Sequence, residues 1–314
     1  MMNRKGGIFT ILEPYLKKFF MHCLSINLQT TTIKAYEYKL KLFNEYISQE
    51  SANSVENITA DNIRCFLFEQ SKRLGKVSVK HYYSTLRIFF NFLVAENVLA
   101  YSPMRSVSTP KIPKRQLRTF TNNETKLLLN HFDKNSFIGF RNYVIMNTLF
   151  ASGMRITELC NLHCTDIFFE VSLINIIGKG DKQRHVPISP VLKKLLLAYF
   201  KRRNEYITEN GLQQSRYFFI TRKATQIHRD NVAWLFIKIK RYYGIEGKRF
   251  SAHTFRHTFA KAFILNGGDI FSLQKILGHS KIEDTKKYIE LNETEVKVQN
   301  EKFNPLDNSR WQYY

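Results

Sequence analysis

Apolar residues recur every three or four positions along the first hundred residues of this 314-residue chain, which restricts what that segment can form. An α-helix has 3.6 residues per turn, so residues with this spacing lie on one helical face. Such faces predict packed helices and a small all-helical bundle whose aromatic residues fill the core. Two of the faces consist of Ile33, Tyr36, Leu40, Phe43 and Ile47, and of Val79, Tyr83, Leu86, Phe90 and Leu93.

A third helix is predicted between these two, around Ile63, Phe66, Leu67 and Leu74. Thr59 or Asp61 is a suitable N-terminal cap, because a short polar side chain can accept a hydrogen bond from a free N–H group of the first turn. Gly75 is placed to end this helix. About thirty residues precede the first clear helix of the bundle.

A change in composition indicates the end of the bundle. Pro103, Pro110 and Pro113 interrupt any helix, and residues 111–118 contain four positive charges. We therefore predict a helical domain at residues 1–108 and a basic linker at 109–118. The charged residues of this linker are Lys111, Lys114, Arg115 and Arg118.

The segment after the linker predicts a second domain at residues 119–314. Thr121 and Glu124, three residues apart, have the spacing of a capping box that begins a helix. The apolar segment 141–151 predicts another helix. Alternation along 171–177, a glycine-containing turn at 178–184 and a return at 185–188 predict a β-hairpin. Further helices are predicted from residue 189 to 200 and at 229–242, 254–265 and 269–277, so the fold class is mainly α with a small β-sheet.

A formal net charge of +22 narrows the binding partners. The 48 basic and 26 acidic residues are unevenly divided: 14 and 8 up to residue 110 give +6, and 34 and 18 after it give +16. Such an excess favours polyanions, nucleic acid first and an anionic membrane surface second. No stretch is apolar and long enough to span a membrane, and the N-terminus lacks a signal-peptide pattern, so we expect an intracellular protein without a membrane partner.

The four cysteines are too few and too scattered to predict a disulfide framework. Cys160, His163 and Cys164 are close together in sequence, but zinc motifs normally have a second ligand pair elsewhere. Packing residues are therefore the favoured interpretation, and we predict no metal site.

Several polar residues near turns are candidates for chemistry, although each has an ordinary structural explanation when taken singly. Arg155 with Glu158 resembles a common surface ion pair, and Lys179 lies between two glycines at a hairpin tip. His253 and Arg256 are spaced to share one helical face. His279 follows a glycine that ends a helix, and Tyr288 follows nine residues later on what is predicted to be a short helix.

Taken together, these residues supply what attack on a phosphodiester requires without a metal. A phenol can be the nucleophile, cationic side chains can neutralise developing negative charge, and a proton donor can release the leaving alcohol. The set consists of Arg155, Lys179, His253, Arg256, His279 and Tyr288.

The ordered motifs resemble the tyrosine recombinases, the phage integrase and Xer-like family. The resemblance covers nearly the whole chain and is carried by FASGMRITEL, GKGDKQRHVPI, HTFRHTFA and LGHSKIEDTKKY. It implies a helical core-binding, SAM-like domain followed by a mixed α+β catalytic domain. It also implies that Tyr288 attacks the scissile phosphate to give a 3'-phosphotyrosyl link, while Arg155 and Arg256 bind the non-bridging oxygens.

The resemblance implies roles for the other candidates as well. Lys179 would protonate the departing 5'-oxygen, His253 would act as general acid and base, and His279 would donate a hydrogen bond to the phosphate. Glu158 would support the site, and the basic linker would follow the DNA backbone between two domains that clamp the duplex. Because the covalent link conserves the phosphodiester energy, no cofactor is expected.

The family also implies double-stranded DNA as partner and a homotetramer on two DNA sites. The four protomers would exchange strands through a Holliday junction, with or without a second recombinase or accessory protein, in the cytoplasm at the bacterial nucleoid. The short segment before the first clear helix favours simple inverted-repeat sites over an arm-binding integrase. Two alternatives stay open: a non-catalytic DNA-binding accessory protein and a type IB topoisomerase-like nicking enzyme.

Overall fold

The computed structural model describes residues 11–50, 53–112, 119–178, 183–245, 250–288, 291 and 293–304. The chain divides into two units, Met1–Lys114 and Arg115–Tyr314. The domain boundaries expected from the sequence, including the linker at 109–118, stay a prediction.

Four α-helices form the described part of the first unit, with short 3-10 turns at Val55–Asn57 and Pro103–Ser106. The helices are α1 (Glu13–Ser25), α2 (Thr30–Gln49), α3 (Ala60–Arg73) and α4 (Lys76–Ala95). Their buried faces carry the periodic apolar residues expected from the sequence. Phe43 is completely buried between the rings of Phe66 and Phe90, with ring centroids 5.0 and 6.0 Å away. Aromatic packing at these distances stabilises the bundle core.

Two details of this unit correct the sequence interpretation. A helix, α1, lies within the first thirty residues, where none was expected; Pro14 fits its first turn and Phe19 and Cys23 are buried. Gly75 does not end α3 as a left-handed cap. It has a φ of −68° and begins α4, while Leu74 in extended conformation ends α3. The expected cap is present, because the Thr59 hydroxyl accepts a hydrogen bond from the Asn62 N–H.

The described part of the second unit consists of nine helices around a small sheet. The helices are α5 (Asn122–Asn130), α6 (Phe137–Ser152), α7 (Ile156–Asn161), α8 (Pro190–Glu209), α9 (Arg229–Tyr242), α10 (Ala252–Leu265), α11 (Ile270–Leu277), α12 (Ile282–Lys286) and α13 (Glu293–Phe303). The predicted capping box is confirmed at α5, where Thr121 and Glu124 exchange hydrogen bonds.

The sheet has three antiparallel strands in the order β1 (Ile167–Phe168), β2 (Leu173–Ile177) and β3 (Gln183–Pro187). The register pairs Ile174 with Val186, and both residues are buried in the core of the unit. Strand β3 begins two residues earlier than the predicted return at 185–188. Strand β1 was not predicted, because two residues are too few to show a periodic pattern. This mainly α architecture with a small sheet confirms the predicted fold class.

Among the residues that the structure describes, no helix combines the length and the apolar character needed to cross a bilayer. The predicted hairpin tip at Lys179 lies outside the described residues. The same holds for three residues of the predicted linker, Lys114, Arg115 and Arg118. Lys111 is described and exposed.

Replacement of Phe43 by alanine is expected to lower the free energy of unfolding by about 3–5 kcal/mol, because it removes a fully buried ring and leaves a cavity. Urea unfolding of the full chain measures this loss. Phe68→Ala is the control, since Phe68 on α3 is 63% exposed and its loss should cost less than about 1 kcal/mol. Equal losses for the two variants would contradict the assignment of Phe43 to the core.

Candidate active site

Arg155 lies at the start of α7, directly after the turn that ends α6. Gly153 makes this turn with a φ of +61°, and a Cβ there would approach a ring carbon of Phe259 to 2.5 Å. The left-handed backbone and the crowding both require glycine. The turn leaves the Arg155 side chain 44% exposed at the surface of the site.

Glu158 organises the arginines around this turn. Its side chain is only 6% exposed. Its Oε2 accepts the backbone N–H of Arg155 at 2.7 Å, and its Oε1 accepts Nη1 of the same arginine at 2.8 Å. Nη1 and Nη2 of Arg184, on β3, donate to the two carboxylate oxygens at 2.9 and 2.7 Å. Glu158, which was expected to support the site, therefore binds a second arginine, Arg184, as well as Arg155.

The protonation of Glu158 follows from these contacts. Burial alone would raise the pKa of its carboxyl group, but the hydrogen bonds and charge of Arg184, followed by the hydrogen bonds of Arg155, lower the pKa to about 2. The carboxylate is therefore charged throughout the physiological range and holds both guanidinium groups.

Arg256 occupies the centre of the site on α10 and is 2% exposed. Nη1 donates to the Gly153 carbonyl at 2.8 Å, and Nη2 donates to the Leu277 carbonyl at 2.7 Å and lies 2.8 Å from His279 Nε2. Burial, followed by the charge of Arg155, lowers its pKa to about 10. The guanidinium nevertheless stays protonated at neutral pH, as a phosphate ligand must.

His279 follows Gly278, which ends α11 with a φ of +67°. Because a guanidinium can only donate, His279 Nε2 must accept from Arg256, and Nδ1 carries the hydrogen and donates to Thr285 Oγ1 at 2.8 Å. Burial, followed by the charges of Arg256 and Arg155, lowers the pKa of His279 to about 4. The imidazole is therefore neutral near pH 7.

Tyr288 lies in the turn after α12, not on the helix as expected, and its N–H donates to the Thr285 carbonyl at 3.0 Å. The half-buried ring stacks on His279, with centroids 5.4 Å apart and an angle of 18° between the planes. Tyr288 partly opposes the lowering of the Arg256 pKa, first through its charge and then through its hydrogen-bonding interaction with the guanidinium. The phenol is thus held beside the buried cation.

The two other histidines of the HTFRHTFA segment extend this cluster. His253 is exposed at the start of α10, and its ring centroid is 4.2 Å from that of buried His257. His257 in turn lies 4.7 Å from the Tyr288 ring. Although His253 and Arg256 share the helix, their exposures differ, because His253 faces outward and Arg256 faces the core. The structure therefore brings five of the six candidates together and leaves Lys179 undescribed.

Cys160 and Cys164 lie among packing residues. Cys160 is buried, and burial raises the pKa of its thiol to about 12, while Cys164 is half-buried with Sγ 3.7 Å from the Tyr217 carbonyl. Within the described ranges, no group of three or more histidine, cysteine or acidic side chains is arranged to hold a metal ion.

Sequence reasoning did not single out Arg184, His257 or Thr285. Arg184 had a signal: it lies two residues before buried Val186 on β3, so both side chains face inward, and an inward arginine needs partners. His257 and Thr285 had none, since their contacts with Tyr288 and His279 depend on how α10, α11 and α12 pack.

Two family models match this chain. The family described as "Phage integrase family" matches residues 118–295, and "Phage integrase, N-terminal SAM-like domain" matches residues 17–97. Relatives include tyrosine recombinase XerD of Listeria monocytogenes, 29% identical over 293 residues that cover 91% of this chain and 97% of the relative. Tyrosine recombinase XerC of Anoxybacillus flavithermus is 29% identical over 263 residues, covering 83% and 87%.

Solved structures show the same fold. XerH recombinase bound to a palindromic difH substrate in a post-cleavage complex has a TM-score of 0.73 at 22% identity, covering 91% of this chain and 83% of XerH. A lambda integrase fragment, as a dimer bound to a COC' core site, has a TM-score of 0.71 at 16% identity, covering 96% and 98%.

Because the first family match covers more than half of the residues, the chain belongs to the phage integrase family, the tyrosine recombinases. This confirms the family inferred from the motifs. It also confirms the class of enzyme, a tyrosine-type site-specific recombinase. The roles of the individual site residues stay predictions.

Replacement of Glu158 by glutamine is expected to lower the stability at pH 7 by about 3 kcal/mol, the free-energy equivalent of a pKa of about 2 against an ordinary 4.5. The folded-state pKa lies below the unfolded-state value, so this contribution is complete above pH 4.5 and disappears as the pH falls towards 2. Urea unfolding of both proteins at pH 7 and pH 3 measures it. A stability difference that does not shrink at pH 3 would contradict the charged pairing of Glu158.

Proposed function

We propose that this protein is a DNA recombinase that cleaves and rejoins duplex DNA through a 3'-phosphotyrosyl intermediate. One observation supports this most strongly: the Tyr288 ring stacks on neutral His279, and its phenol interacts with the buried Arg256 guanidinium that His279 also contacts. A tyrosine held there is beside the group that would bind the phosphate it attacks, which is the arrangement nucleophilic catalysis requires.

The proposed step forms a bond from the Tyr288 oxygen to phosphorus and breaks the bond from phosphorus to the 5'-oxygen. Arg155 and Arg256 bind the non-bridging oxygens and stabilise the additional negative charge of the transition state. His253 accepts the phenol proton, and Lys179 donates a proton to the departing 5'-oxygen. Attack by a free 5'-hydroxyl on the phosphotyrosine reverses these transfers and rejoins the strand.

Phosphate entry changes the hydrogen bonds of His279. Its Nε2 accepts from Arg256 in the free protein, so it can donate to a phosphate oxygen only after the Arg256 contact is exchanged and the proton is relocated. A phosphate anion nearby favours the protonated imidazole and thereby raises the low pKa of this histidine. The proposed donor role therefore begins when DNA binds.

Double-stranded DNA is the proposed partner, and the net charge of +22 supports it. Most of this charge would contact backbone phosphates, including the charges of Lys111, Lys114, Arg115 and Arg118, while few groups read base edges. The core-binding domain at 1–108 and the catalytic domain at 119–314 are both basic, so both are proposed to bind the same duplex.

The proposed assembly is a homotetramer on two DNA sites that exchanges strands through a Holliday junction. The structure of XerH, which is bound to a palindromic difH substrate, supports simple inverted-repeat sites. Resolution of dimers or cointegrates, inversion and integration are all compatible outcomes. The DNA that the protein captures decides among them.

The experiment selects the DNA by chemistry. A pool of nicked duplexes with random sequence is incubated with the protein and a chelator, and covalently linked DNA is isolated under denaturing conditions. Cleavage next to a nick releases a short fragment, so the adduct cannot be rejoined and accumulates. We expect the selected duplexes to contain an inverted repeat and the 5'-labelled strand to remain on the protein.

Replacement of Tyr288 by phenylalanine is expected to reduce adduct formation on the selected duplex by at least about 10³-fold, because it removes the nucleophilic oxygen. DNA binding should persist. Denaturing gels measure the adduct. Tyr206→Phe is the matched control, since Tyr206 is another half-buried tyrosine of the same unit, stacked on Phe137, and should behave like the wild type. Wild-type adduct levels in the Tyr288 variant would overturn the assignment.

A further inference from the structure

Arg184 makes three hydrogen bonds that connect separate parts of the proposed site. Its side chain on β3 is 10% exposed. Nη1 and Nη2 donate to the two oxygens of Glu158 at 2.9 and 2.7 Å, a bidentate pair, and Nε donates to the Ile276 carbonyl at 2.9 Å. One planar guanidinium thus fixes a carboxylate on α7 relative to the end of α11.

The first of these contacts determines where Arg155 is held. Glu158 Oε1 accepts from Arg184 Nη1 and also from Arg155 Nη1, at 2.9 and 2.8 Å. The bidentate pair sets the plane of the carboxylate, and the carboxylate in turn sets the position of the partly exposed Arg155 guanidinium. Loss of Arg184 would leave the carboxylate held only by the backbone and side chain of Arg155, so the carboxylate would orient the Arg155 guanidinium less firmly.

The second contact supports the turn that presents His279. Arg184 binds the carbonyl of Ile276, and Arg256 binds the carbonyl of the next residue, Leu277. Gly278 follows, and a Cβ on it would lie 2.7 Å from Arg184 Cδ. The stem of Arg184 therefore packs closely against the left-handed turn immediately before His279.

We propose that Arg184 is a positioning residue for DNA cleavage, which orients Arg155 and His279 around the scissile phosphate. This inference rests on the proposed function. Lysine cannot replace Arg184, because one ammonium group cannot make a bidentate pair and a carbonyl bond in the same plane.

The test compares two DNA substrates for their dependence on Arg184. One is the selected nicked duplex, and the other carries a methylphosphonate at the scissile position, which lacks one negative oxygen. If Arg184 acts through Arg155, its removal matters most when there is full phosphate charge to neutralise. Arg184→Met should slow single-turnover adduct formation on the order of 10- to 100-fold on the phosphodiester, but less than about 3-fold on the methylphosphonate.

Two further variants separate positioning from folding. Arg184→Lys keeps the charge and should still show the substrate-dependent defect, so it carries the test if Arg184→Met does not fold. Arg203→Lys is the control: Arg203 is a buried arginine that bonds the Ser215 and Tyr217 carbonyls, and its replacement should affect both substrates equally. Circular dichroism and thermal midpoints establish that each variant is folded.

Folded Arg184 variants that lose the same factor on both substrates, or that cleave both at the wild-type rate, would overturn the positioning role. Absence of any adduct from the wild-type protein would overturn the proposed function instead. The two failures are therefore distinguishable, because the first requires an active wild type and the second does not.

Discussion

The buried carboxylate of Glu158 is the contact on which the geometry of the site depends. It accepts hydrogen bonds from the backbone and side chain of Arg155 and from both terminal nitrogens of Arg184. The Glu158 side chain is only 6% exposed, and removing a charged carboxylate from water costs free energy. The surrounding hydrogen-bond donors compensate for this cost. The same contact joins α7 to strand β3, so it links helix packing to the position of the reactive groups.

Two glycines define the backbone around this contact. Gly153 and Gly278 both adopt left-handed conformations at helix ends, and each lies within van der Waals distance of a side chain that a Cβ would displace. The sequence FASGMR therefore places its arginine by means of a turn that only glycine makes without strain, and LGHS places its histidine in the same way. The motifs combine a reactive residue with the backbone turn that aims it.

The sequence predicts the helices whose apolar pattern repeats over several turns, and the helix caps that need only a local hydrogen bond. Helices α2 and α4 have five apolar residues each on one face, and the box at Thr121 and Glu124 needs only neighbouring atoms. Strand β1 and helix α12 are too short to show a period. Helix α1 does have a periodic apolar face, since Leu16, Phe19 and Cys23 are buried. Charged residues stand between these apolar ones, so the pattern was not recognised in the sequence.

Five of the six candidate residues lie together in the described part of the chain, but the sequence did not show the network of contacts that joins them. Four sequence motifs contain the six candidates, whereas the partners of Arg184 lie 26 and 92 positions away in the chain. Such long-range pairings depend on tertiary packing, so they cannot be predicted from the periodicity or local motifs of one sequence. The inward position of Arg184 on β3 was the one detectable sign that this arginine has an internal role.

The carbonyls that hold Arg256 have an electrostatic consequence. Gly153 caps the end of α6 and Leu277 is the last residue of α11, so two helix C-termini converge on one guanidinium. Their partial negative charges compensate a buried cation in the way that an acidic side chain would, yet without adding a full negative charge. Among the described contacts of Arg256 there is no hydrogen bond to a carboxylate, so an incoming phosphate does not have to displace an acidic side chain from this guanidinium.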